Sequence, residues 1–187
     1  MSRFVIFSLT LIIFINSSSF PKTAATPSAK YQNYTTYIKK ACNSTTYPTL
    51  CYSSLSSYSS TIKSDPIKLC TTSLNLNVKC AKNATLVVSN LLKKAKSVKG
   101  PEVPILKDCV DEIKDTVDEL KQAIAEMKYV RSGGKSTEEH LKNMRTWVSS
   151  ALTDEGTCTD GFEERKVSLE TKKKLWQMNI KDDLREV

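Results

Sequence analysis

Seven apolar residues, Leu106, Val110, Ile113, Val117, Leu120, Ile124 and Met127, follow one another at alternating spacings of four and three without a miss. That period places all seven on one side of an α-helix and leaves charged residues elsewhere around it. A stripe this long must be covered by other helices, so it constrains the chain to a bundle. Pro104 fits the first turn, where its missing N–H costs nothing, and Ser132-Gly133-Gly134 breaks the helix.

The remaining pattern is also helical. Asp65 before Pro66 reads as a helix start, with Asp65 as the cap. From there Ile67, Cys70, Leu74, Ala81, Val88, Leu92 and Ala95 form one seam, and Leu69, Leu76, Cys80, Ala84, Val87 and Leu91 a second, until Gly100-Pro101. Ser136 with Glu139 has the form of a capping box and opens a third helix striped by Leu141, Met144, Val148 and Ala151. Asp154-Glu155-Gly156 reads as a turn, and a fourth helix is expected from about Thr159, with Phe162, Leu169 and Trp176 seven apart. Before these, a short helix over Tyr31 to Ala41, a turn holding Asn43 and Pro48, and a second short helix to about Tyr58 make a hairpin. The expected fold is all-α: an up-and-down four-helix bundle over 64–187, preceded by an N-terminal helical hairpin over 26–63.

Residues 1–25 stand apart. Arg3 and the apolar run Phe4 to Ile15 have the form of a signal peptide, too short to span a bilayer, with cleavage around residues 19–25. The expectation is a secreted chain with no membrane segment after cleavage. Its loss of Arg3 and Lys22, and of no acid, takes the formal charge from +8 to +6. Secretion argues against nucleic acid as the partner of this charge and favours weak association with a polyanion such as pectin, through Lys93, Lys94, Lys96 and Lys99 or Lys172 to Lys174. The competing reading of the first run is a solvated helix end whose cations offset the helix dipole. Sequons at Asn33, Asn43 and Asn83 are candidate glycosylation sites.

An oxidising route permits disulfides, and the six cysteines allow 15 connectivities. Cys70 and Cys80 share one helix about 15 Å apart along its axis, beyond the roughly 7 Å that a disulfide spans, and they read as small buried thiols on apolar seams. Cys42 and Cys51 flank the hairpin turn. If Cys109 opens the second bundle helix and Cys158 the fourth, the two lie at one end of the bundle, which favours the pairs Cys42–Cys51 and Cys109–Cys158. Nothing in the chain forms a catalytic constellation. His140 is the one histidine, read as exposed, and no nucleophile elbow, phosphate-binding glycine loop or zinc motif occurs. No metal or cofactor is expected, and a binding role remains.

The segments Ile38 to Cys51, Leu106 to Glu112, and Thr146 to Phe162 with its Thr146-Trp147-Val148-Ser149-Ser150-Ala151-Leu152-Thr153 run closely resemble the plant invertase/pectin methylesterase inhibitor family. The resemblance runs from about Lys30 to Ser168. It implies a disulfide-stapled helical bundle and the same two disulfides, with Cys70 and Cys80 outside the family's usual set. After Lys174 the run Leu175 to Ile180 departs from the family's usual helical ending. The resemblance also implies a secreted inhibitor, not an enzyme, resident in the apoplast and cell wall. Invertase inhibitors of the family carry a Pro-Lys-Phe loop that is missing from the mature chain, while the run around Trp147 resembles the pectin methylesterase branch. The implied partner is pectin methylesterase in a 1:1 non-covalent complex, with acid invertase inhibition or non-inhibitory wall binding as the alternatives. Asp108, Asp111, Asp115 and Asp118 lie at three-four-three spacing on one helix face. By resemblance, Asp111, Asp115, Asp118, Thr157 and Asp160 are the partner-binding residues.

Overall fold

The computed structural model describes residues 29–134, 136–164 and 167–173, so the leader 1–25, Lys174 and Trp176 lie outside the described residues. Among those described, six helices occur and no strand: α1 Ala29–Cys42, α2 Pro48–Ser56, α3 Ser59–Ile62, α4 Pro66–Ser97, α5 Val103–Ser132 and α6 Thr137–Glu164. A further helical stretch covers 169–173.

Local chemistry marks both ends of α4 and the end of α5. Asp65 caps α4 by accepting from the backbone N–H of Ile67 and of Lys68, at 2.9 and 3.1 Å. At its other end, Lys99 takes the left-handed conformation with φ 51°, and the N–H groups of Lys99 and Gly100 return to the carbonyls of Lys96 and Ala95. This is a Schellman ending with lysine, not glycine, at the left-handed position. Helix α5 ends at Gly133, whose φ of 65° costs a glycine little.

Both α4 and α6 pack on α5, which makes α5 the central element. Successive long helices run antiparallel. Arg131, late in α5, lies 3.9 Å from the cap carboxylate of Asp65, and Glu126, late in α5, meets His140 at the start of α6. The α5 stripe is buried at Leu106, Val110, Ile113, Val117, Leu120 and Met127, with Ile124 partly buried beside it. Against it lie Leu74, Ala81, Val88 and Ala95 from α4 and Met144, Val148 and Ala151 from α6. A separate cluster of Ile38, Leu55, Ile62 and Leu69 holds α1 to α3 against the first turns of α4.

Two expectations need correction. Asp154-Glu155-Gly156 is not a turn: α6 runs through it to Glu164. An interior glycine costs a helix about 1 kcal/mol, and here packing outweighs that. Ala151, Cys158 and Phe162 are all buried on α5, so the seam begun at Met144 continues past Gly156 in its four-three rhythm. Cys158 therefore lies in the last turns of α6 and does not open a fourth helix. The fourth helix is represented among the described residues only by 169–173, after buried Val167. Leu169 is 84% exposed, so the expected seven-residue stripe through it is not a buried seam.

Both expected disulfides are present, Cys42–Cys51 and Cys109–Cys158, with Cα separations of 5.5 and 4.4 Å. The second joins the start of α5 to the end of an antiparallel α6, so the pairing holds while the parallel-helix reason for it does not. Cys70 and Cys80 stand outside both bridges and are half-buried. Burial, reinforced by Asp65, pushes the Cys70 thiol up to about 11.

Candidate functional site

The α5–α6 pair carries the candidate residues on one face. Asp108, Asp111, Asp115 and Asp118 are all exposed along α5. Thr157 and Asp160 are exposed on α6, and they extend a row begun by Ser150 and Asp154 at four-three-three spacing, which keeps one side of a helix. The Cys109–Cys158 bridge sets the level of the two rows, bringing Asp108 and Asp111 to the same end as Thr157 and Asp160. Gly161 faces the start of α5, where a Cβ would meet the Ile105 side chain at 3.7 Å in ordinary contact, so the approach does not depend on glycine.

Between the outer rows lies an inner one that single-helix spacing does not reveal. Glu119 of α5 faces Ser150 and Asp154 of α6. Its carboxyl is held above the ordinary range chiefly by partial burial, with Asp154 and the charge of Asp115 adding and Ser150 opposing. One turn pair earlier, Glu112 is raised by burial first and then by Asp154, Asp115, Asp108 and Asp111. The inner carboxyls thus feel the outer row, and the acidic face is electrostatically one surface across both helices. Beneath it the Thr116 hydroxyl lies 3.0 Å from the Glu112 carbonyl and 3.3 Å from the Ala151 carbonyl, and so ties α5 to α6.

The outer row is not bare charge. Lys114 donates to Asp111 at 3.0 Å and Lys121 to Asp118 at 2.7 Å. The Lys114 bond and charge, with Lys107 behind them, hold the Asp111 carboxyl below its usual range. Exposed pairs of this kind are worth at most about 1 kcal/mol, so an incoming cation can displace either lysine at small cost. The face offers a row of acceptors for donors on a partner.

His140 differs from expectation. It is not a bare surface residue: its ring stacks on Tyr129 with centroids 4.5 Å apart, and Nδ1 lies 2.6 Å from Glu126, at 22% side-chain exposure. It fastens the far end of the α5–α6 hairpin, away from Thr157. The three sequon asparagines, Asn33, Asn43 and Asn83, are exposed, the first and third within helices α1 and α4.

The face is thus a row of acceptors carried by two helices that a disulfide joins, on an all-helical scaffold among the described residues. The chain's residues 36–186 match the model of the plant invertase/pectin methylesterase inhibitor family. It is 81% identical over 175 residues to pectinesterase inhibitor 4 of Arabidopsis thaliana, covering 94% of this chain and 88% of that protein. Pectinesterase inhibitor 10 of the same plant is 40% identical over 72% of the chain and 44% of its own length, and pectinesterase inhibitor 11 is 36% identical over 86% and 78%. No solved structure is significantly similar. This chain belongs to the plant invertase/pectin methylesterase inhibitor family, a family of inhibitors and not of enzymes. The match reaches past Ser168 into the C-terminal run that departs from the family's usual ending.

Proposed function

We propose that this chain is a secreted apoplastic inhibitor that forms a 1:1 non-covalent complex with pectin methylesterase and blocks its substrate cleft. The observation that carries the reading is the 81% identity to a pectinesterase inhibitor over nearly the whole chain. The acidic α5–α6 face is the part that meets the enzyme: Asp111, Asp115 and Asp118 from α5, Thr157 and Asp160 from α6, with Asp108 at the edge. Carboxylates on fixed helices orient an approaching basic rim and speed encounter as well as adding affinity. Among the described residues no helix is long and apolar enough to cross a membrane, which agrees with a secreted chain. Glycans at Asn33, Asn43 or Asn83 would be carried on α1, the hairpin turn or α4, off the two helices of this face.

Titration of purified protein against a plant pectin methylesterase, with acid invertase alongside, tests the reading. Activity of the esterase alone should fall to an end point near one equivalent. Loss of invertase activity alone would assign the chain to the other branch, and no effect on either would leave wall binding as its role. The double substitution Asp111→Lys with Asp115→Lys should weaken inhibition by more than about tenfold, as lost charge pairs at an interface do, while the circular dichroism spectrum stays helical. Unchanged inhibition by that variant would remove the acidic face from the mechanism.

A further inference from the structure

Two lysine runs more than seventy residues apart in sequence come together at one end of the molecule. Lys94, in the last turns of α4, pairs with Glu170, and Ser168 and Thr171 donate to Glu102 at 2.9 and 3.0 Å. These bonds seat the 169–173 stretch on the α4–α5 turn. Lys93, Lys96 and Lys99 are exposed at the end of α4, and Lys172 and Lys173 are exposed on the stretch seated against it. Residues 91–102 and 167–173 together hold six lysines and two carboxylates, and both carboxylates are engaged, Glu102 buried under two hydroxyls and Glu170 by Lys94.

The end of α4 explains only part of this charge. A helix C-terminus carries about half an elementary negative charge, so it offsets less than one lysine. Five lysines still face solvent within a few turns, a concentration of like charge that repels itself until an anion arrives. The same surface exposes two aliphatic side chains, Val98 at 71% and Leu169 at 84%. Among the described residues the exposed aromatics are elsewhere: Tyr129 lies near the opposite end of α5, and Tyr47 in the hairpin turn. Single-stranded nucleic acid is held on aromatic platforms, which this end lacks among its described residues. Lysines spread over this end suit instead a linear polymer that carries its charge as carboxylates along its length.

We propose that this end, through Lys93, Lys96, Lys99, Lys172 and Lys173, binds a linear polyuronate: a stretch of pectin whose consecutive carboxylates have lost their methyl esters. That is the chemistry a pectinesterase leaves behind. The site lies off the acidic row, and its binding is read without any enzyme, so its failure and the failure of the inhibitory reading are separate results.

The experiment is retention of the purified chain on immobilised polygalacturonate, eluted with a salt gradient, with a fully methyl-esterified column of the same polymer beside it. The chain should be held at about 0.15 M ionic strength, where screening already reaches 8 Å, and should pass through the esterified column. Replacing Lys96, Lys99, Lys172 and Lys173 together by Gln should weaken binding by about tenfold or more and flatten its salt dependence, because fewer counterions are released. Arginine at the same four positions should retain binding, and the Gln variant should inhibit the esterase as before on a short soluble substrate. Equal retention of the Gln variant, loss of binding by the Arg variant, equal binding to esterified polymer, or equal binding to single-stranded DNA of matched charge would each overturn the proposal.

Discussion

At Glu119, partial burial and the neighbouring Asp154 act in the same direction, and both favour the protonated acid. Glu112 is displaced the same way. A carboxyl whose pKa is higher folded than unfolded binds its proton more tightly in the native state. Its stabilising contribution is therefore complete below the unfolded value near 4.5 and is lost as pH rises through the folded value. Asp111 is displaced oppositely, but it is fully exposed and carries little weight. Thermal unfolding followed from pH 4 to pH 7 should show the wild type losing stability relative to Glu119→Gln as pH rises. The variant should match it at the acidic end, where the amide replaces the neutral acid. A difference that is constant across this range would mean that Glu119 does not share its proton with α6. The outer acidic row is legible in the sequence, because a three-four-three spacing places it on one face of one helix. The Glu119–Ser150–Asp154 contact is not, since it depends on how α5 and α6 are rotated against each other.

Helix α6 shows how a local signal is overruled by packing. Asp154, Glu155 and Gly156 look like a turn taken alone, yet they lie inside a seam that reads Leu141, Met144, Val148, Ala151, Glu155, Cys158, Phe162. Only the polar residue at 155 hides the rhythm. In α5 every seam position is apolar, and the helix is legible end to end. Gly156 has no positive φ and nothing within 4 Å of where a Cβ would stand. Gly156→Ala should therefore raise unfolding free energy by about 0.5–1 kcal/mol, measured by urea denaturation. A turn at this position would give the opposite sign. A helix over 169–173 is within the sequence's expectation, but the way it is seated is not legible: Val167 before it and Thr171 within it are buried, and the hydroxyls of Ser168 and Thr171 find Glu102 from 66 and 69 residues away. No periodicity announces a contact of that kind.

Across the whole molecule, covalent ties are unevenly placed. Cys42–Cys51 closes a separation of nine residues inside the hairpin, and Cys109–Cys158 one of 49 between the central helix and its neighbour. Loop closure of the second length is worth about 4 kcal/mol in the chain-entropy account, so replacing Cys109 and Cys158 together by Ala should lower stability by about that amount, and by more than the corresponding change at Cys42 and Cys51. Calorimetry of the two variants compares them directly. The acidic face should suffer with the longer bridge, since that bridge sets the level of Thr157 against Asp111. The same placement decides what a protease can do to the protein. A single cut at Gly133–Gly134, between α5 and α6, leaves both pieces joined through sulfur, and a denaturing gel without reductant would still show one band. A cut at Gly100 falls outside every bridge and frees the hairpin with α4 as a separate fragment. The chain can lose one turn and stay one molecule, but it cannot lose the other.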